Sequence, residues 1–358
     1  MINQSILTRL NAPSPQERLE NLAEEARKAD FPPINPRYIN NHIHTFYSFS
    51  PYSPAAAVYA ARAEGLCTAG IVDHDSMGGA EEFIEAGRIL GLPVTVGVEA
   101  RVSMAGTPFE RLRTNNPDQL GISYMVLHAV PHQSIPLVQE YFVPLREARN
   151  RRNRQMTEGI RRLSGLEIDF DRDVLPLSMF HDGGGVTERH LMQALARAEN
   201  PGREMLLEYD RIGELKKDFI PRVYVDATEE CPPIRDYIAF AEKTGGILAY
   251  AYLGDVTQSV TGDKKAQAFE DKHLDLLFET INALGIRAVT YMPTRNTDEQ
   301  LARVRKLCDQ YGMMQISGED INSPRQRFVI EKMKEERFTN LIDSTWQLIK
   351  HENGGILP

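Results

Sequence analysis

Short, almost continuously apolar runs alternate with amphipathic helical segments along most of the chain. The apolar runs are rich in Val, Ile, Ala and Tyr, which is typical of strands covered by helices on both faces. The alternation predicts an α/β fold with a largely parallel sheet. Seven runs suit a (β/α)7 TIM-like barrel, closed by seven rather than eight units. The predicted strands are Tyr38–His44, Ala69–Val72, Val94–Glu99, Tyr124–Val130, Ile247–Tyr252, Ile286–Tyr291 and Met313–Ser317.

Several predicted helices have recognisable ends. Ser53 followed by Pro54 is a start signal, and Gly65 is a stop signal. The stretch 100–123 is polar and shows no helical pattern, which predicts an extended or hairpin-like excursion between strands three and four. Further helices are predicted at 79–91, Lys264–Leu284, Thr297–Tyr311 and Arg325–Lys350, the last with an apolar stripe for docking.

The order of these segments predicts three regions. Residues 1–36 read as an N-terminal helical extension, with a helix at Pro15–Asp30. Residues 37–133 and 244–358 form the barrel, and residues 134–243 form a helical insertion without a strong strand. The helices predicted in the insertion are Leu137–Leu163, Glu188–Ala198 and Ile234–Lys243.

Composition narrows the class of protein. The chain has 358 residues, a net charge of -9 and a pI of about 5.6, which does not favour a nucleic-acid polymer as partner. Three distant cysteines without a CxxC pair argue against a disulfide scaffold. We find neither a signal-peptide core nor an apolar run long enough to span a membrane. We therefore expect a cytoplasmic protein, and the oligomeric state stays open.

Potential metal ligands follow five of the seven predicted strands. At the first strand end, His42 and His44 should share one face, because side chains alternate along a strand. In a barrel of parallel strands all carboxyl ends meet at one mouth, where such groups converge. Imidazoles with carboxylates suit zinc, iron or manganese. The other candidates are Asp73, His74 and Asp75, then Glu99, then His128, then Glu319 and Asp320.

Each candidate also has an ordinary structural explanation. A single histidine after a strand is commonly a core or surface residue. Asp73 and Asp75 could cap the helix that follows Gly79, and Glu99 could begin a polar loop. Their joint occurrence at so many strand ends favours a metal site.

Three motifs follow the first three strands in order: His42-Ile43-His44, Val72-Asp73-His74-Asp75 and Gly97-Val98-Glu99. They resemble the PHP superfamily, named for polymerase and histidinol phosphatase, whose usual text is HxH, TDHD and G(I/V)E. His128 and the segment 318–322 are similar to its later motifs, and the resemblance covers about residues 38–130 and 244–323. Arg-rich residues 146–162 and the run 187–191 resemble the insertion of PHP phosphoesterases that act on small molecules.

The resemblance implies a distorted seven-stranded barrel that binds up to three metal ions and hydrolyses phosphate esters. We expect one to three divalent ions (Zn, Mn or Fe), and at least one. The implied ligands are His42, His44, Glu99 and Asp320 for one ion, Glu99 with His128 for a second, and His74 for a third.

Three positions depart from the family text. Phe49 stands where an acidic residue or a histidine often follows HxH, Tyr252 stands in place of a histidine after strand five, and Asn322 replaces the last histidine. The first metal site is then complete, whereas the second has lost one ligand. Asp255 and Glu319 are nearby oxygens that could compensate.

The first hypothesis is a metal-dependent hydrolase, specifically a phosphoesterase that uses metal-activated water on a small phosphorylated metabolite or nucleotide. Asp73 or Asp75 would orient a ligand or take a proton, and His190 would act as an acid. Arg189, His190 and Tyr252 would bind the phosphate.

The alternative is a PHP-like module with a degenerate metal site that binds a ligand or partner without catalysis. A third reading is hydrolysis of a C–N or other non-phosphate bond. The arginines between 146 and 162 are expected to form a solvated helix face, with one or two phosphate contacts at most.

Overall fold

The computed structural model describes residues 2–256 and 267–357, in which seven strands form one sheet in sequential order. His44 N donates to Ile321 O at 3.0 Å, and Ile321 N donates to His42 O at 3.1 Å. The first strand therefore meets the chain that follows the last one, which nearly closes the sheet. The predicted distorted TIM-like barrel is confirmed. The strands are β1 (Ile39–Ile43), β2 (Thr68–His74), β3 (Val94–Ser103), β4 (Ile122–His128), β5 (Ile247–Tyr252), β6 (Ala288–Tyr291) and β7 (Met314–Ser317).

Strand β4 runs antiparallel to both of its neighbours, while the other strand pairs are parallel. β3 runs on to Ser103, which pairs with Ile122, so the predicted hairpin-like excursion is confirmed. The expectation that every strand ends at the same mouth is wrong for β4. Its last residue, His128, pairs with Ile247 at the start of β5, so the strand ends inside the barrel, below the mouth.

Twelve α-helices lie in the described parts of the chain, and most match the sequence pattern. The start of the predicted 264–284 helix lies outside the described residues. The helices are α1 (Gln4–Leu10), α2 (Pro15–Lys28), α3 (Pro54–Ala63), α4 (Ala80–Leu90), α5 (Ile135–Tyr141), α6 (Val143–Ser164), α7 (Glu188–Glu199), α8 (Met205–Val223), α9 (Ile234–Thr244), α10 (Leu274–Ala283), α11 (Asp298–Tyr311) and α12 (Thr339–Glu352). Within these residues, none is long and apolar enough to cross a bilayer.

The C-terminal helix begins later than the sequence predicts. Instead of a helix from Arg325, short 3-10 turns precede α12. The Glu64 carboxylate accepts hydrogen bonds from the backbone N–H groups of Phe328 and Val329 at 3.1 and 3.2 Å. These bonds occupy the donors that a helix would use, so the segment stays irregular.

The N-terminal helices belong to the main core. Leu7, Leu10 and Leu22 are buried in the same cluster as the barrel helices. Arg18 of α2 donates to both carboxylate oxygens of Glu82 in α4, with Nη2 to Oε2 at 2.6 Å, and both side chains are almost fully buried. This bidentate ion pair and the apolar contacts fix the first two helices against the barrel.

The helices between β4 and β5 have a second hydrophobic cluster of their own, built from α6, α7, α8 and the segment before α7. The helices at its two ends pack instead on the barrel core, through residues such as Val138 of α5 and Tyr237 of α9. The separately packed part is thus narrower than residues 134–243, and the exact domain limits stay a prediction. Phe49, from the loop after β1, is buried in the second cluster.

Candidate metal centre

The end of β1, with His42 in the strand and His44 directly after it, is held against the end of β7. Asn41 Nδ2 donates to Ser317 O at 2.9 Å, and Asn40 Oδ1 accepts from Glu319 N at 3.0 Å. A Cβ atom on Gly318 would lie 2.5 Å from His42 Cβ, so only glycine allows this approach. The parallel register of β1 is irregular between Asn40 and Ile43. The His42 and His44 rings lie 5.0 Å apart between centroids.

Two groups of potential ligands converge at the barrel mouth, and they share His44. The first consists of His42, His44 and Asp320, and the second of His44, His74 and Glu99; the ligand atoms within each lie within 4.8 Å of one another. Glu99 Oε2 is 3.0 Å from His74 Nδ1, 3.6 Å from His42 Nε2 and 3.7 Å from His44 Nε2. His44 Nε2 is 3.3 Å from Asp320 Oδ1. One small volume therefore collects five side chains that the sequence predicts as ligands.

The donors fit a divalent cation. Four ligand atoms around zinc lie about 3.3 Å apart when the bonds are about 2.0 Å, which is close to the spacings between Glu99 or Asp320 and the imidazoles. His44 Nε2 is buried and faces Asp320 Oδ1 at 3.3 Å without good hydrogen-bond geometry. A bound ion would satisfy both atoms.

The protonation states of two potential ligands, His74 and Glu99, suit metal binding. Burial lowers the pKa of His74 to about 3 and outweighs the opposing effect of Glu99, so the imidazole is neutral, as a ligand must be. Burial is the largest influence on Glu99 and would raise its pKa. His74 and His42 overcome it and hold the pKa of Glu99 at about 2, so this residue is a carboxylate.

A cavity of about 150 Å³ opens directly over these ligands. One wall is the barrel mouth, and the other walls come from the loop between β3 and β4 and from the inserted helices. Besides the five potential ligands, the polar lining includes Asn115, Asp118, Tyr124, Arg149, Thr187, Glu188, Arg189, Lys216 and Asn322. The structure thus places cations and hydrogen-bond donors opposite the metal ligands.

The two predicted catalytic aspartates do not line this cavity. Asp73 accepts hydrogen bonds from Thr45 N at 2.6 Å and from the hydroxyls of Thr45 and Ser48 at 2.5 and 2.6 Å. Asp75 has a left-handed backbone with φ of 53°, and its carboxylate accepts from Arg149 Nη1 at 2.6 Å. Both carboxylates hold neighbouring structure in place, and their predicted part in catalysis stays a prediction.

His190 is likewise outside the cavity lining. Its Nδ1 accepts a hydrogen bond from Thr187 N at 3.0 Å, which caps the start of α7. Its ring packs edge-to-face on Phe49 at 5.0 Å, and burial lowers the pKa of His190 to about 3. In this conformation the ring is a neutral capping group.

The two other predicted substrate-binding residues do line the cavity. The Arg189 guanidinium lies 5.9 Å from the centre of the Phe49 ring. Tyr252 presents its ring, but its hydroxyl donates to Asp271 Oδ1 at 2.6 Å. Of the pair, only Arg189 brings a charged group to the cavity.

His128 belongs to neither ligand group. Side chains on β4 alternate, so Tyr124, Val126 and His128 face the same way. Because the strand is antiparallel, Tyr124 reaches the cavity and His128 lies deeper in the barrel. Its Nε2 is buried and has no hydrogen-bond partner among the described residues. The role of His128 as a metal ligand stays a prediction. The argument that it lies at the mouth because all strands run parallel is wrong, since β4 is antiparallel.

The residues that depart from the family text have clear structural roles. Asn322 donates to Asp320 Oδ1 at 2.5 Å and so orients a potential ligand. Phe49 replaces a ligand with an apolar contact to the inserted helices. The carboxylates of Asp255 and Glu319 accept from Phe269 N and Thr294 N, each at 2.6 Å, and neither residue lines the cavity.

A buried arginine network beside the cavity was missed. Arg101 of β3 pairs with Glu230 at 2.8 Å and with Glu188 at 3.3 Å. Arg149 and Arg152 of α6 also pair with Glu188. Each of these five side chains belongs to a residue that is less than a tenth exposed. We call the set of Arg101, Arg149, Arg152, Asp75, Glu188 and Glu230 the arginine network.

The expectation of a solvated arginine face on α6 is wrong for three of its seven arginines. Arg146, Arg149 and Arg152 are buried at intervals of three residues, while Arg151, Arg154 and Arg162 are exposed. Residues three or four apart share one helix face, so this spacing is the signal that could have found the network.

A family model described as the PHP domain matches residues 40–356. The chain belongs to the PHP family. Its family membership and the histidine–carboxylate groups support a metal-dependent hydrolase.

Solved structures with the same fold are only distantly related in sequence. A protein from Bifidobacterium adolescentis, described as a candidate metal-dependent phosphoesterase, has a TM-score of 0.61 and 23% identity over 84% of this chain and 96% of its own. An amidohydrolase from Chromobacterium violaceum, solved with bound sulfate and no metal, has a TM-score of 0.60 and 18% identity over 80% and 88%. At these identities the likeness establishes the fold. No curated protein matches the chain significantly.

Proposed function

We propose that this PHP protein is a phosphoesterase that acts on a small phosphorylated metabolite or nucleotide. One observation carries the proposal: the cavity that holds the histidine–carboxylate groups is also lined by Arg189 and Lys216 from the inserted helices. A phosphoryl group bears two negative charges, so it needs cations on more than one side. Ligands for a metal ion on one wall and side-chain cations on another meet that requirement.

The family resemblance divides the ligands between two ions, with Glu99 shared. His42, His44, Glu99 and Asp320 would hold one divalent ion, and His74 with Glu99 would contribute to another. A bound Zn, Mn or Fe ion supplies Lewis acidity, which makes water nucleophilic near neutral pH and neutralises phosphoryl charge. Asn322 fixes the orientation of Asp320, and Asp73 holds the backbone and hydroxyl of Thr45, next to His44.

The side-chain cations have separate roles. Arg189 would grip phosphoryl oxygens through its planar guanidinium. Lys216 is half-buried, lines the cavity, and has no ion-pair or hydrogen-bond partner within residues 2–256 and 267–357. An unpaired cation facing a cavity suits an anionic ligand. Arg149 is already held by Asp75 and Glu188, so it contributes a fixed local charge.

The shape of the site favours a small substrate over a polymer. Inserted helices form part of the cavity wall, and the volume is about 150 Å³. The net charge of -9 also disfavours a long polyanion. We propose that the substrate is met in the cytoplasm, in keeping with three unpaired cysteines.

The test is phosphate release by purified protein loaded with Zn or Mn, across a panel of sugar phosphates, mononucleotides, benzyl phosphate and 4-nitrophenyl phosphate. Metal content is measured on the same samples. Turnover of at least one ester, abolished by chelation, is the expected result. Metal-loaded protein that releases no phosphate contradicts the proposal and favours the non-catalytic module. Hydrolysis of amides alone would favour C–N chemistry.

A further inference from the structure

Tyr124 occupies the mouth position on β4 because that strand runs antiparallel. Its backbone is fixed on both sides by Asn115: Tyr124 N donates to Asn115 Oδ1 at 2.7 Å, and Asn115 Nδ2 donates to Tyr124 O at 2.8 Å. The ring lines the cavity, with its centroid 5.8 Å from that of His74. A rigid aromatic side chain therefore stands beside a potential metal ligand.

The Tyr124 hydroxyl differs from those of the other tyrosines that line the cavity. Tyr252 donates to Asp271 at 2.6 Å, and Tyr291 donates to Gln315 at 3.0 Å. The Tyr124 hydroxyl has no hydrogen-bond partner in the described ranges 2–256 and 267–357. It is therefore available to a molecule in the cavity.

The three residues that the sequence suggested for proton transfer are already held by the protein. Asp73 and Asp75 accept hydrogen bonds from the protein, and the His190 Nδ1 caps α7. None of the three lines the cavity. Breaking the bond from phosphorus to the ester oxygen leaves negative charge on that oxygen, so a donor is needed there.

We propose that Tyr124 donates a hydrogen bond to the ester oxygen that leaves phosphorus, and so stabilises the charge that develops on it. The inference rests on the proposed phosphoesterase function. The phenol keeps its proton throughout, and the leaving oxygen takes its own proton from water. A fixed donor in a site shielded from solvent is effective because it needs no reorganisation during the reaction.

The surroundings of the hydroxyl suit a neutral donor. Burial raises the pKa of Tyr124 well above its usual value, and the nearby Arg101 and Arg149 only partly oppose this. Burial therefore favours the protonated phenol, which is the form that can donate a hydrogen bond. A catalytic role that required tyrosinate would be disfavoured by the same burial.

The experiment compares Tyr124→Phe with wild type on two esters of similar size. The leaving group of benzyl phosphate is a strongly basic alkoxide, whereas the leaving group of 4-nitrophenyl phosphate is a stable phenolate. We expect kcat/KM to fall about 100-fold for benzyl phosphate and less than about 5-fold for 4-nitrophenyl phosphate. Metal content should equal that of wild type.

A matched control is Tyr250→Phe, which removes a buried strand hydroxyl outside the cavity lining and should leave both activities close to wild type. Equal losses on both esters in Tyr124→Phe would indicate a structural role and overturn the inference. No loss on either ester would also overturn it, as would a reduced metal content, since Tyr124 would then be a ligand. Absence of any phosphomonoesterase activity in wild type would instead overturn the proposed function, and the inference with it.

Discussion

The metal centre and the arginine network are neighbouring buried clusters of charge with opposite needs. In the arginine network, three guanidinium groups meet three carboxylates, so the charges cancel within the protein. At the metal centre, two carboxylates, Glu99 and Asp320, face imidazoles, of which His74 is neutral. Buried charge is tolerated only when it is compensated. The comparison shows that charge is balanced within the arginine network, whereas the metal centre is built for a cation.

The largest effect is expected from His42→Ala combined with His44→Ala. His44 belongs to both ligand groups, so the double variant should lose at least one ion per chain, and activity should fall about 10⁴-fold, or about 5 kcal/mol. Elemental analysis and phosphate release measure the two effects. The barrel should still fold, as judged by circular dichroism.

The matched control for that double variant is His181→Ala with His351→Ala, two exposed histidines. It should retain full metal content and activity. Unchanged metal stoichiometry after loss of His42 and His44 would refute the assignment of the metal centre.

The next largest effect is expected on stability, from Glu188→Gln in the arginine network. Glu188 contacts three arginines, and breaking a buried ion pair costs about 3–5 kcal/mol because charge is left uncompensated. Urea denaturation of the metal-free protein measures the free energy of unfolding. Asp171→Asn, which removes an exposed partner of Arg154, should cost less than about 1 kcal/mol.

A loss below about 1 kcal/mol for Glu188→Gln would contradict the view that this network is structural. Such a result would also remove the contrast between the arginine network and the metal centre, because the stability of neither cluster would then depend on ion pairs within the protein.

The smallest effect should follow Asn322→Ala. The Asn322 amide donates to Asp320, and loss of a group that orients a ligand weakens metal binding about 10-fold. Competition with a chelator measures the change in affinity, while the metal stoichiometry at saturation should not change. An affinity equal to that of wild type would show that Asp320 needs no such support.

The barrel could be predicted because its determinants are local. Apolar runs mark strands buried on both faces, and residues such as Ser53 and Gly65 mark helix ends. The direction of β4 is not local. The pattern of an apolar run does not show in which direction the strand runs. Only the polar stretch 100–123, which shows no helical pattern, indicated that β4 could follow β3 through a hairpin.

That reversal explains why Tyr124 was missed at the site. The sequence pattern shows which β4 residues share a face, but strand direction decides which end of the strand reaches the cavity. The leading histidines could be predicted because their spacing places both on one face. The arginine network could not be recognised from composition, since its carboxylates come from three separate segments.

Burial of Phe49 among the inserted helices has a consequence for how such proteins diverge. The loop between β1 and α3 carries a metal ligand at one end and an apolar anchor of the second hydrophobic cluster a few residues later. The inserted helices are therefore not an interchangeable module. Replacing them with those of a relative would expose the Phe49 ring and loosen the loop that holds His44. Changes in this loop and in the inserted helices must therefore arise together.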